Sequence, residues 1–325
     1  MTTIIEERAS DVPRAAASPH ARRRWRFPRA AFLVSALALV GLLVVLYPSV
    51  AAWFSQYRQS QLIVSVTGGE HAVDAPELAA EVERAREYNS RLVGGALLEA
   101  NANKPSADSS AAAGAEYDGL LRASNSGVMG RLRIPAIDVD LPIYHGTSDA
   151  TLAKGVGHLE GTSLPVGGES QRSVLTAHRG LPEATLFDHL DRVERDDTFT
   201  IEVFGEVLTY RVTETRVIDP EDTDTLRVAA GEDLVTLVTC TPLGINTHRI
   251  LVTGERITPT PAADLDRAGR APEIPGFPWW AVGIGGSLLL LGGYVWRAGR
   301  PAPLREPERG GSGGGDPQPD PETDP

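Results

Sequence analysis

A single cysteine, Cys240, stands in a chain of 325 residues, within the stretch LVTLVTCTPLGINTHRILVTGER from Leu234 to Arg256. The apolar, β-branched run before it reads as a strand, and Pro242, which cannot donate to a strand ladder, ends that strand. The thiol is thus delivered to a strand end beside a loop. The Gly-Ile-Asn turn sends the chain back through Thr247, His248 and Arg249 into a second strand, so pairing of the two would bring Arg249 close to Cys240. A fixed cation there would stabilise a thiolate, or the oxyanion of a tetrahedral intermediate. A thiol nucleophile also requires a group that takes and returns a proton. Among the seven histidines, His178 in VLTAHRGLP occupies the same kind of place as Cys240, at the end of an apolar strand and before a turn. His145 in YHG and His158 in GHLEG are rivals in loops, whereas His20, His71 and His189 have the surroundings of solvated residues. The plainer reading of Cys240 is a small buried core residue, since free cysteine is among the most buried residue types.

The elements that would carry these groups are short strands. RLRIPAIDVDLPIY reads as two strands broken by turn chemistry, and RSVLTA as another. DTFTIEVFGEVLTYRVTETRVI alternates on both sides of Gly205-Glu206, with Phe199, Ile201 and Val203 on one face and Leu208, Tyr210 and Val212 returning, which predicts a hairpin. LPEATLFDHLDRV, between, reads as helical. Many short strands separated by Gly and Pro turns predict a mainly β domain, a closed or sandwiched sheet, over residues 128–258. Ahead of it, Asp74-Ala75-Pro76 opens an amphipathic helix with Leu78, Val82, Ala85, Tyr88 and Leu92 on one face, halted by Gly94-Gly95. NANKPSADSSAAAGAEYDG, which follows, is rich in small residues and predicts no strong element.

Two apolar runs frame this region, residues 30–52 and 274–296, each long enough to cross a hydrocarbon layer of about 30 Å. Trp279, Trp280, Tyr294 and Trp296 lie near the ends of the second, where an aromatic belt belongs. Arg22, Arg23, Arg24, Arg26 and Arg29 precede the first run, and Arg297, Arg300, Arg305 and Arg309 follow the second. Both flanks carry the positive-inside signature, so residues 1–29 and 297–325 are expected to be cytoplasmic tails, with residues 53–127, the β domain and the linker 259–273 outside the membrane. Ser49-Val50-Ala51 also resembles a signal-peptide cleavage site, but the long basic region ahead of it favours an uncleaved anchor.

An outward-facing domain meets oxidising surroundings, where a lone thiol has no internal disulfide partner and is a chemical liability unless it is used. The cysteine count excludes a Cys-rich zinc site, and no metal or other cofactor is expected. A net charge of −12 lacks the basic patch that nucleic acid would require. Only Lys104 and Lys154 are lysines among 31 basic residues, a bias that suggests a GC-rich bacterial genome.

At the residues singled out above, the sequence closely resembles the sortase family, the membrane-anchored cysteine transpeptidases of Gram-positive bacteria. TLVTCTP matches the family's TLxTC signature, TAHRG its histidine motif and NTHRILVTGER its arginine strand, and the likeness extends over about Gly127 to Ile257. The resemblance implies an eight-stranded sortase-type β-barrel with a few short helices, flanked here by the two transmembrane helices. It also implies that Cys240 is the nucleophile, His178 the general acid and base, and Arg249 the residue that positions the substrate and stabilises the oxyanion. Thr176, Ala177 and Thr239, beside these residues in the motifs, become candidate substrate-binding positions. The implied substrate is a protein bearing an LPXTG-like sorting signal, cleaved between Thr and Gly through a thioester and passed to an amine. A second span and a helix ahead of the barrel resemble the pilin-polymerising class C sortases of actinobacterial type, whose amine comes from a pilin lysine. Anchoring to a peptidoglycan-precursor amine is the alternative, and a tethered, non-catalytic binding domain is the reading from a different class. Class C enzymes usually carry a lid with an Asp-Pro-aromatic plug, whereas here Asp108 is followed by Ser109 and Asp118 by Gly119. Without that plug, Cys240 is expected to be reachable in the resting protein, and residues 101–127 to be mobile.

Overall fold

The computed structural model describes residues 25–70, 74–92, 97–98, 105–106, 111–122 and 127–300. The tails expected at either end therefore lie almost wholly outside the described residues, as do Gly94-Gly95 and Asp108. The chain divides into two compact units, 1–41 with 285–325 and 42–284. In the first, Arg26 N–H donates to the Gly299 carbonyl at 3.1 Å and the Trp25 indole to that of Trp296 at 3.1 Å. The Arg300 guanidinium sits 3.6 Å from the Trp296 ring centroid, a cation–π contact.

Helix α1 (Arg29–Glu70) continues well past the predicted span, through Pro48, for 42 residues, or about 60 Å at 1.5 Å per residue. It and α6 (Trp279–Ala298) are long and apolar enough to cross a membrane. Between them come α2 (Ala75–Arg91), a two-residue pair of strands β1 (Leu97–Leu98) and β2 (Pro105–Ser106), and α3 (Ala111–Gly119). A closed barrel follows, made of β3 (Val128–Ile134), β4 (Val139–His145), β5 (Val156–His158), β6 (Gln171–Thr176), β7 (Thr198–Val203), β8 (Glu206–Ile218), β9 (Asp233–Thr241) and β10 (His248–Arg256). Around the wall the order is β10-β8-β7-β3-β4-β5-β6-β9, with β9 pairing β10 to close it. The β4–β5 and β6–β9 pairs are parallel. The first crossover carries the one-turn helix α4 (Asp149–Leu152), and the second contains the β7–β8 hairpin.

The hairpin forms as its alternation predicts. Phe199, Ile201, Val203, Leu208, Tyr210 and Val212 are all buried, and Phe199 stacks on Tyr210 with ring centroids 5.5 Å apart. Phe204 and Gly205, at φ 45° and 83°, supply the left-handed pair that a two-residue hairpin turn needs. β5 escapes the alternation pattern, although GVGHLEG, which contains it, resembles one of the family's opening strands. It is three residues long and follows a close backbone approach at Gly155, where a Cβ would meet the Pro142 carbonyl oxygen at 2.6 Å. The helix predicted over residues 181–193 is also absent, apart from a 3-10 turn at Leu190–Arg192. Burial of Phe187 and Leu190 wins over helical periodicity, and the backbone turns so that Phe187 N–H reaches the His178 carbonyl at 3.1 Å.

Helix α2 packs on the barrel through Val82, Ala85 and Tyr88, as its periodicity predicts, and buries two polar side chains as well. Asn89 pairs with the backbone of Leu164 in both directions, accepting at 2.7 Å and donating at 3.0 Å. Glu81 accepts from the Leu121 amide at 2.7 Å. The segment expected to be mobile is, over residues 111–122, a helix and turn that seat Tyr117, Leu120 and Leu121 in the core. The two histidines considered as rivals to His178 hold it there. His145 Nε2–H donates to the Leu120 carbonyl at 2.8 Å. His158 is fully buried and donates Nε2–H to the Ser163 carbonyl at 2.9 Å, which leaves Nδ1 to accept from the Tyr117 hydroxyl at 2.9 Å. That hydroxyl in turn accepts from Gly146 N–H at 3.0 Å. Burial pushes the His158 pKa down to about 4, which keeps the ring neutral and able to accept.

Beyond β10 the chain forms the one-turn helix α5 (Ala262–Leu265) and is fastened to the barrel by charge. Arg131 grips buried Asp140 with two hydrogen bonds of 2.6 Å and turns its third donor to the Arg270 carbonyl at 2.7 Å. Glu202 accepts from Gly269 N–H at 3.1 Å.

The Tyr117 bonds generate a specific expectation. Tyr117→Phe leaves the Gly146 amide and His158 Nδ1 without this partner in the interior, a loss of about 1–3 kcal/mol. Hydrogen–deuterium exchange of Tyr117–Leu121 should accelerate roughly tenfold or more while the β9 and β10 amides keep their protection. Unchanged exchange in α3 would contradict the clamp.

Candidate active site

The β9–β10 ladder sets Arg249 directly opposite Cys240, with His248 opposite Thr241. Arg249 is 1% exposed, and its Nη1 donates to the carbonyls of Asn246 at 2.9 Å and His248 at 3.0 Å. The cation is therefore aimed by the backbone of the turn that joins the two strands. Cys240 is the penultimate residue of β9 and retains 7% of its surface, so the expectation of a freely reachable thiol is overturned.

His178 reaches the same barrel end from the other side of β9. In the parallel β6–β9 ladder each residue pairs with one 62 positions further on, up to Thr176 with Val238. Ala177 N–H continues the pairing to the Val238 carbonyl at 3.3 Å, and the Thr239 hydroxyl donates to the Ala177 carbonyl at 2.8 Å. Extended one residue beyond Ala177, this register matches His178 with Cys240, so the three residues singled out for chemistry lie at or just beyond the ends of three adjacent strands. Thr176, Ala177 and Thr239 lie buried in the wall that holds them in register. His145 and His158, by contrast, are engaged with α3.

Burial dominates the electrostatics of the pair. It pushes the Cys240 thiol up from its ordinary value, with Arg249 pulling the other way. It pulls the His178 imidazole down, opposed by the carboxylate of Asp149 on α4. Both directions favour an uncharged thiol and an uncharged imidazole at neutral pH, and the Arg249 cation would stabilise a thiolate or an oxyanion formed beside it.

One supporting residue escaped the sequence reading. Arg179, next to His178, donates to the Thr241 hydroxyl at 3.2 Å and to the Asp188 carbonyl at 3.0 Å, and pairs with Asp191 at 2.9 Å. It ties the loop after the histidine to the residue after the cysteine. Its position in the histidine motif was the available signal, but its partners lie on a segment read as a helix.

Comparison with known proteins agrees with this geometry. The family model of the sortase domain matches residues 132–257. Sortase D of Bacillus subtilis is 31% identical over 132 residues, covering 40% of this chain and 64% of the relative. The chain spans less than two thirds of the length of the curated relatives it matches. Among solved structures, sortase C of Streptococcus pneumoniae, reported with insights into catalysis and pilin substrate specificity, is 38% identical, with a TM-score of 0.55 over 62% of this chain and 98% of that one. Sortase C-1 of Actinomyces oris is 46% identical, with a TM-score of 0.52 over 56% of this chain and 98% of the solved one. That identity, sustained over nearly the whole of a solved sortase and joined to the same barrel, means that the chain belongs to the sortase family.

Proposed function

We propose that this protein is a membrane-anchored cysteine transpeptidase that cleaves an LPXTG-like sorting signal between Thr and Gly and transfers the new acyl group to an amine. The observation that carries the reading is the pairing of Cys240 with Arg249 across β9 and β10, supported by the β6–β9 register, which matches His178 with Cys240 when continued past Thr176. In this mechanism Cys240 passes its proton to His178 and attacks the Thr–Gly carbonyl. Arg249 stabilises the tetrahedral oxyanion, and its planar fork of donors holds the substrate backbone. The imidazolium of His178 then protonates the departing glycine amine, leaving a thioester on Cys240. An incoming amine gives its proton to His178, attacks the thioester and restores the thiol.

The amine donor is a pilin lysine in the reading favoured here, which rests on two strongly apolar helices flanking the barrel and on likeness to sortase C structures. Transfer to a peptidoglycan-precursor amine is the second reading. The arginines beside both apolar runs support a topology with the two termini in the cytoplasm and the barrel on the outer face of the cell membrane.

Three measurements test the mechanism. Cys240→Ala removes one sulfur without opening a large cavity, so the protein should fold and form no covalent adduct with a sorting peptide, as read by mass spectrometry. An adduct on the mutant would sink the assignment. Arg249→Lys keeps the charge and loses the fork, so turnover should fall by roughly 100-fold or more, the scale of removing an oxyanion donor, with peptide affinity little changed. The pH dependence follows from the directions of the two shifts. Alkylation of Cys240 should rise with a midpoint above about 8.5, the ordinary thiol value, and turnover should fall on the acid side below about 6.5, the ordinary imidazole value. A thiolate already formed at pH 7 would contradict the buried, neutral pair.

A further inference from the structure

Above the apolar run of α1, one stripe of the helix faces the barrel across a groove with a cavity volume of about 520 Å³, within the range of small-molecule sites. Tyr47 and Phe54 line the helix side, Leu181 the barrel side, and the polar rim carries Arg58, Lys154 and Glu183. The depth of the groove follows from the aromatic residues around it. Tyr47 ends the apolar run, and Trp53 stacks on Tyr57, meets Trp280 at 6.0 Å and donates to the Gly276 carbonyl at 2.8 Å. Under the proposed membrane anchoring, on which this inference rests, the cluster serves as the aromatic belt of both spans, the level at which hydrocarbon gives way to headgroups. Arg58 stands about one helical turn above Phe54. Lys154 is held near by Gln59, which donates to its carbonyl at 3.0 Å. Both cationic side chains are exposed, and among the described residues neither has an ion-pair partner. Lys154 is one of only two lysines in the chain.

We propose that this groove is a binding site for an anionic phospholipid of the surrounding leaflet. An acyl chain lies along Tyr47 and Phe54, and the phosphate and its neighbouring negative charge sit between Arg58 and Lys154. Two cations against the single carboxylate of Glu183 leave the rim net positive, so a lipid of net negative charge is favoured over a zwitterionic one, whose choline brings its own cation. The site shares a wall with the catalytic loop. Leu181 bridges to Ala184, and Phe187 of the same loop is bonded to the His178 carbonyl, so an occupied groove braces the segment that carries the general base.

The experiment uses the full chain in a neutral detergent, with native mass spectrometry reading retained lipid, a signal that needs no transpeptidase activity. Dioleoylphosphatidylglycerol, dioleoylphosphatidylcholine and inorganic phosphate are the three probes. The expected result is roughly tenfold stronger retention of phosphatidylglycerol than of phosphatidylcholine, the scale set by about 1 kcal/mol per basic residue. The double variant R58Q/K154Q should lose that preference, and E183Q should strengthen it. Because all three side chains are exposed, none of these changes touches the core or the proposed catalytic residues. Equal retention of the two lipids, or an unchanged preference in the double variant, overturns the proposal. Full displacement of phosphatidylglycerol by inorganic phosphate would also overturn it, because the groove would then be a simple anion site.

Discussion

The antiparallel register of β9 on β10 governs both the closure of the barrel and the placing of its chemistry. Cross-strand partners in an antiparallel pair stand about 5 Å apart, and a slip of one residue sends a side chain to the opposite face of the sheet. With Cys240 opposite Arg249, the cation and the sulfur share one face at one barrel end. A one-residue slip of β10 would separate them and also turn Ile250 and Val252 out of the core. The hydrophobic pattern that stabilises the fold therefore also enforces the pairing on which the proposed chemistry rests.

A permanently charged guanidinium buried beside a thiol carries a desolvation cost, and the turn meets part of it with backbone carbonyls from Asn246 and His248. Carbonyl dipoles hold the cation without neutralising it, so it remains able to attract a developing negative charge. Burial at the same time keeps sulfur and imidazole uncharged at rest. In the proposed mechanism a thiolate then exists only at the moment of proton transfer, which would suit the oxidising surroundings of the proposed outward-facing domain.

The strand ends near which Cys240, His178 and Arg249 lie were legible in the sequence because Pro242 and the Gly-Leu-Pro turn mark where strands stop. The β7–β8 hairpin was legible for a similar reason, a clean alternation on either side of a turn. Features set by long-range contacts were not. β5 follows a close backbone approach at Gly155, and the loop after His178 exchanges a helical pattern for burial of Phe187. The α3 segment looked too poor in apolar area to stay down. What holds it is a few buried polar bonds from Tyr117, His145 and His158, whose partners lie 25 to 41 residues away in sequence. Composition counts apolar area and has no means of registering such pairings.

The chain leaves the barrel domain at both ends through stiff, fastened connections. Toward the amino terminus, α1 runs without a break from its apolar segment to Glu70, and Ser60 donates to the Ile274 carbonyl ahead of α6. Toward the carboxyl terminus, Arg131 and Glu202 hold Gly269 and Arg270 against the barrel wall. Under the proposed anchoring, connections fastened in this way shorten the flexible tether between membrane and barrel, so the effective concentration of a substrate bond at the thiol depends on how well the partner's own stalk spans the remaining distance. In that reading, lengthening the stalk by a few residues alters the rate as surely as altering the sorting signal.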